Sequence, residues 1–255
     1  MHKLTTITSR TVTMQTMYAL VSGQTFRRDM PPAGAILNSG ISWGRFDELF
    51  TAAYWCGQAW QAGLLGLYKR INLGRSLAEE TAACLLGGYG MPAEIGLAAF
   101  ERLRSNGLLT AGSSAEELER SLSEPFEING HCSRYRFPRQ KAKYLAVCLD
   151  QVEKIDETAL DDAGLRSALT GLPGVGYKTA SWIVRNRRNS SRVAVLDVHI
   201  LRAGRLMGLF EGSQSPQRDY LVLEARFVEF AKEIDVPAWL LDAVMWQHMR
   251  LLRNA

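Results

Sequence analysis

Apolar residues recur at spacings of three and four over most of the chain, a period that predicts helices. Beyond Ser42, Phe46, Leu49, Phe50 and Ala53 fall at i, i+3, i+4 and i+7 and predict one such segment. Ser76 and Glu79 form an S-x-x-E capping box ahead of an apolar run to Leu86, and Gly87-Gly88-Tyr89-Gly90 stops that helix. Pro92 sits in the first turn of the next, which runs to about Ser105 with Gly107 as its stop. Ser113 or Ser114 caps residues 115–122, and residues 138–153 and 158–170 read as two more helices. Residues 218–234 and 237–252 form a closing helical pair, split at Asp235-Val236-Pro237. Val193-Ala194-Val195-Leu196 is too short and isolated to suggest a strand ladder, so the expected class is all-α. Residues 1–40, with Arg27-Arg28-Asp29 and Pro31-Pro32, show no readable period.

Composition narrows the class. At 255 residues and 47% apolar, the chain can bury a full core and can hold two small domains around one cleft. Its 22 glycines and 8 prolines are ordinary counts, which excludes collagen-like and disordered classes. No apolar run approaches the ~20 residues of a membrane span. Met1 to Gly23 scatters Thr and Ser among its apolar residues and lacks a signal-peptide core, so a cytoplasmic protein is expected. Cys56, Cys84, Cys132 and Cys148 form no C-x-x-C pair, and the His131-Cys132 neighbours have no second pair to complete a metal site.

Charge has a location. The net charge is only +4, but residues 131–205 carry 14 basic and 7 acidic side chains, net +7, between flanks of −1 and −2. A basic middle suggests local contact with a polyanion, although solvated surface charge would give the same count.

The chemistry concentrates at Leu172-Pro173-Gly174-Val175-Gly176-Tyr177-Lys178-Thr179. One helix ends near Thr170, a turn with glycines at 174 and 176 follows, and a second helix opens at Tyr177 or Lys178. Glycines permit positive φ and close backbone approach. The turn amides and the new helix N-terminus then make an anion site suited to a DNA phosphate, independent of base sequence.

This segment resembles the helix–hairpin–helix of DNA glycosylases, in which a Gly/Pro-rich hairpin precedes a catalytic Asp. In lyase-competent members a Lys occupies the position of Lys178, and Asp197, 19 residues on in Val195-Leu196-Asp197-Val198-His199, matches the Asp. Arg134-Tyr135-Arg136-Phe137-Pro138-Arg139-Gln140-Lys141-Ala142-Lys143-Tyr144 resembles the basic segment of the 8-oxoguanine glycosylase branch, of its archaeal and bacterial second type. Val236-Pro237-Ala238-Trp239-Leu240-Leu241-Asp242 through Trp246 is similar to the ending of that type, as are Gly176 to Ser181 and Ile183-Val184-Arg185-Asn186. The likeness covers roughly residues 76–250.

The resemblance implies two helical domains, residues 1–75 pairing with 198–255 and residues 76–197 forming a central barrel, with the hairpin at the cleft between them. It implies a monomeric, nucleoid-associated glycosylase and AP lyase acting on double-stranded DNA, away from membranes. Lys178 would attack C1′ and Asp197 would stabilise the sugar cation. Contacts to DNA would come from Leu172, Gly174, Val175, Gly176, Tyr177 and Thr179 of the hairpin, and from Arg134, Arg136, Arg139, Lys141 and Lys143. No cofactor is required. A monovalent cation on hairpin carbonyls is compatible, and an iron–sulfur cluster is excluded because no Cys follows Cys148.

Alternatives stay open on the residues alone. Asp197 also stands where a plain helix cap would, and Lys178 where a first-turn Lys would simply touch phosphate. Similar hairpins serve as passive DNA clamps, and another modified, alkylated or phage-specific base would use the same Lys and Asp. The family's Gln- or Asn-bearing turn is replaced by Gly87 to Met91, where Tyr89 or Met91 could be the wedge, or Tyr89 could pack on the surface. Among Trp43, Trp55, Trp182 and Trp246 none is singled out as the stacking surface for a flipped base.

Overall fold

The computed structural model describes residues 13–68, 72–88 and 90–252. Ten helices dominate the described residues: α1 (Ala52–Leu64), α2 (Leu77–Leu86), α3 (Ala93–Ser105), α4 (Ala115–Ser123), α5 (Pro138–Val152), α6 (Asp162–Thr170), α7 (Tyr177–Arg188), α8 (Val198–Leu206), α9 (Pro216–Glu233) and α10 (Ala238–Leu251). Side-chain caps set five of the ten starts. Ser114 and Glu117 complete a capping box at α4, whereas at α2 Ser76 accepts from the Glu79 amide but Glu79 turns to the Arg75 amide instead. α6 begins at Asp162, four residues later than its pattern suggested. Asp156 ties the amides of Thr158 and Ala159 into a separate turn, and Asp161 becomes the cap.

Two departures from the sequence reading stand out. Residues 42–51 are a loop, not the start of a helix. Gln15 donates to Pro31 and Gly44 carbonyls and accepts from the Phe46 amide, so the loop backbone is satisfied without helical bonds, and Thr51 caps α1. The mostly helical chain also carries two antiparallel hairpins, β1 (Gln15–Val21) with β2 (Gln24–Met30), and β3 (Phe126–Ile128) with β4 (His131–Ser133). Each turns on two residues of positive φ, Ser22-Gly23 and Asn129-Gly130, the geometry that matches strand twist in a two-residue loop. His131 and Cys132 therefore lie on an exposed strand rather than a loop.

The helices bury two separate cores. One joins Met30 to Ala62, including α1, with Ala194 to Met249, including α8, α9 and α10. The other runs from Leu77 to Val193. The chain passes from the second core to the first between Val193 and Ala194, three residues before Asp197.

Candidate active site

The hairpin between α6 and α7 rests on α5. Val175 N donates to Leu172 O at 3.1 Å, closing a turn, and both side chains are buried in the second core. Only their backbones remain to meet a ligand, and the Val175 amide is already engaged. Gly174 has φ +77° and lies so close to Tyr144 that a Cβ would stand 2.4 Å from its ring. The Cys148 thiol donates to Pro173 O at 3.3 Å, and burial pushes that thiol up to about 11. Gly176 differs from the expectation of positive φ. It is the N-cap of α7 with φ −90°, and a Cβ there would meet nothing within 4 Å. No side chain caps α7, and its first internal amide bond is Ala180 N to Gly176 O. The amides of Tyr177, Lys178 and Thr179 are thus the helix's orphan donors. Thr179 is half-buried, and Tyr177 is exposed and stacks on Tyr220 at 5.9 Å between ring centres.

Asp197 is half-buried and caps α8, its Oδ1 accepting from His199 N at 2.8 Å and Ile200 N at 3.1 Å. Asp197 N turns back to Val195 O at 3.1 Å, and the residues before it belong to no helix or strand. Their amides go instead to side chains: Ala194 N to Glu224 Oε1 at 3.0 Å, Val195 N to Asp242 Oδ2 at 3.0 Å, and Leu196 N to Tyr220 Oη at 3.3 Å. Tyr220 donates back to Ala194 O at 2.8 Å. None of these three side chains was expected from sequence. Their signal was present, because Glu224 and Asp242 interrupt the apolar stripes of α9 and α10, where a charge must find a partner.

Lys178 and Asp197 open onto one cleft of about 1070 Å³, lined from both cores by Trp182, His199, Trp246 and Met91 among others. Of the four tryptophans considered for stacking, Trp43 and Trp55 are buried in the first core, while Trp182 and Trp246 line the cleft. Trp246 meets His199 edge-on, and Arg250 lies over its ring. The cleft also reaches a buried polar chain. Glu80 accepts from the amides of Leu73 and Gly74 and from Asn186, Asn186 accepts from Arg185, and Arg185 pairs with Asp242. Burial raises the Asp242 carboxyl to about 6 against the pull of Arg185 and the Val195 amide, and the Asp197 charge raises it further.

The basic block is less a face than its charge suggested. Arg166, Arg185, Arg187 and Arg188 pair with Glu224, Asp242, Glu157 and Asp162. Arg134, Arg139 and Lys143 are exposed and have no ion-pair partner among the described residues. Arg136 instead donates to Gly90 O and lies over Phe137, and the buried Tyr135 hydroxyl donates to Leu86 O at 2.7 Å. Both side chains tether the turn after α2. Lys141 is half-buried, and burial lowers its pKa. Met91 packs against the second core and borders the cleft. Tyr89 lies outside the described residues. Among those described, no cluster of His, Cys, Asp and Glu is placed to hold a metal ion, and no helix is long and apolar enough to cross a membrane.

A family model described as 8-oxoguanine DNA glycosylase matches residues 68–236. A curated protein from Metallosphaera sedula, an 8-oxoguanine DNA glycosylase/AP lyase, is 30% identical over 155 residues, covering 59% of this chain and 72% of its own. The structure of the Methanocaldococcus jannaschii 8-oxoguanine glycosylase/lyase with a 15mer DNA containing 8-oxoguanine superimposes with a TM-score of 0.60 at 23% identity, over 76% of this chain and 95% of that one. The 8-oxoguanine DNA glycosylase of Thermotoga maritima gives 0.60 at 22% identity, over 80% and 97%. These two likenesses establish a shared fold.

Proposed function

The chain belongs to the 8-oxoguanine DNA glycosylase family, and from that premise we propose that it excises 8-oxoguanine from double-stranded DNA and nicks the strand through Lys178 and Asp197. The observation that carries the assignment is that both residues line one cleft, Lys178 in the first turn of the uncapped helix α7. The Lys178 amine, unprotonated, forms a bond to C1′ as the bond from C1′ to the base breaks, and the base leaves with a proton. The Asp197 carboxylate stabilises the positive charge that develops on the sugar. The C1′–O4′ bond of the Lys178 adduct then breaks, with a proton going to O4′, to leave a Schiff base. That species loses a C2′ proton, and the C3′–O bond breaks to release the 3′ phosphate by β-elimination.

The rest of the proposal concerns binding. The orphan amides of α7 would hold a phosphate beside the cleft, with Gly174 and Gly176 shaping the approach. Arg134, Arg139 and Lys143 would contact the backbone, and Met91 would be the wedge. Trp182 and Trp246 are the aromatic faces available to an extruded base. No redox cofactor enters this chemistry. A monovalent cation would sit on hairpin carbonyls, where Pro173 O already accepts from Cys148. The two cores support a division into domains close to residues 1–75 with 198–255 and 76–197, with Ala194 and Leu196 already packed in the first core. The enzyme would act as a monomer in the cytoplasm, on nucleoid DNA.

Borohydride trapping tests the assignment. Duplex DNA carrying 8-oxoguanine should give a covalent complex that Lys178→Gln abolishes and other Lys substitutions leave intact. Base release without a trapped complex would mean monofunctional chemistry. Binding without base loss, across a panel of damaged and modified bases, would overturn the enzyme reading.

A further inference from the structure

Three side chains outside the proposed catalytic pair share one arrangement. Each touches both the backbone just before Asp197 and α7, the helix of Lys178. Tyr220 bonds Leu196 N and Ala194 O through its hydroxyl while its ring stacks on Tyr177. Glu224 Oε1 accepts from Ala194 N at 3.0 Å and from Ser181 Oγ at 2.7 Å. Asp242 accepts from Val195 N through one oxygen and pairs with Arg185 through the other. The α7 positions are 177, 181 and 185, a single stripe at i, i+4 and i+8, and Tyr220 and Glu224 are themselves i and i+4 on α9.

We propose that Tyr220, Glu224 and Asp242 are positioning residues that fix Asp197 relative to Lys178. The inference rests on the function proposed above and adds a device to it. Glu224 and Asp242 are buried at 3% and 1% exposure. Buried carboxylates contribute little net stability compared with apolar residues of the same size. Apolar residues at these two positions, however, would leave the consecutive amides of Ala194 and Val195 unpaired and the approach to Asp197 free to drift. Displacements of about 1 Å at a reacting centre can cost on the order of 100-fold in rate, so a frame spanning the two catalytic elements has a kinetic use beyond folding.

The decisive variant is Tyr220→Phe, which keeps the ring and its stack on Tyr177 and removes only the hydroxyl. Two substrates separate a positioning role from a structural one. Excision of 8-oxoguanine needs Asp197 to stabilise the sugar cation. Nicking of a preformed abasic site starts from an aldehyde and needs Lys178 without that cation. Under single-turnover conditions Tyr220→Phe should slow excision by roughly 10- to 100-fold, with abasic-site nicking and duplex affinity within about threefold of wild type. Glu224→Gln, which retains an oxygen for Ala194 and Ser181, should keep excision within about threefold, whereas Glu224→Leu should lose it as Tyr220→Phe does. Equal loss on both substrates, or no loss on either, would overturn the frame. If the wild type yields no Lys178-dependent trapped complex, the function itself falls. If trapping is intact and the two rates stay in their wild-type ratio in Tyr220→Phe, only the frame falls.

Discussion

Helices α7 and α8 begin within one cleft and treat their N-termini in opposite ways. α8 starts at Asp197, whose carboxylate takes two of its amides. α7 starts at Gly176 with no side-chain cap and no acidic residue in its first turn. Both ends carry the same partial positive charge from orphan N–H groups. At α8 that charge holds a carboxylate through one oxygen, Asp197 Oδ1. At α7 it is left for an anion from outside, next to a lysine. One rule of helix physics therefore supplies a fixed internal negative charge at one helix and uncapped amides, the proposed anion site, at the other, and the difference lies in one residue at each N-cap.

Substitutions at the two caps would break this contrast most strongly. Asp197→Asn retains a capping oxygen, so it should melt close to wild type while excision falls by about 100- to 1000-fold. Asp197→Ala should lose excision equally and also about 1 kcal/mol of stability, read by urea denaturation. Wild-type excision in Asp197→Asn would reduce Asp197 to a cap.

At the other end, Gly174→Ala places a Cβ at positive φ against the Tyr144 ring. A destabilisation of about 1–3 kcal/mol and a roughly tenfold weaker Kd for duplex DNA are expected. Gly176→Ala enters open space at negative φ. Its stability should therefore stay within about 0.5 kcal/mol of wild type, and fluorescence anisotropy with duplex DNA would then report only how closely the α7 amides approach the phosphate.

A separate effect should come from pH. The Asp242 carboxyl is raised to about 6, so the folded chain holds its proton more tightly than the unfolded chain does. Its contribution to folding stability should grow as pH falls from about 6 towards 4, near the unfolded carboxylate value. Denaturant titrations at pH 7, 6, 5 and 4 should therefore show wild type gaining on Asp242→Asn across that window. A constant difference between the two would contradict the assigned shift.

Much of the reaction chemistry was legible because it is local. The hairpin reads from six consecutive residues, Lys178 from its place after them, and Asp197 from a fixed spacing along the chain. The caps Ser76, Ser114 and Asp197 likewise act on amides two or three residues away. The two β-hairpins were as local and were missed. Asn129-Gly130 and Ser22-Gly23 are turn signals, but β3 and β4 are three residues each and helical periods on either side dominated the reading. The segment after Ser42 failed for a different reason. Four apolar residues matched a helical period by composition, and Gln15, 31 residues from Phe46, decided otherwise.

The basic block shows the same limit. Its net +7 was countable from sequence, but whether each Arg faced DNA or a carboxylate depended on partners such as Glu224 and Asp242, which lie 58 and 57 residues from Arg166 and Arg185. By itself the sequence determined the helical class and the hairpin, since these rest on propensities and contacts within a few residues, and it offered Lys178 and Asp197 as the proposed reacting pair through a family resemblance. Tertiary structure alone decided which cations remain unpaired, which tryptophans reach the cleft and what holds Asp197 in place. Those outcomes depend on side chains such as Asp242, 47 residues from the amide it binds, and on packing that no local pattern along the chain encodes.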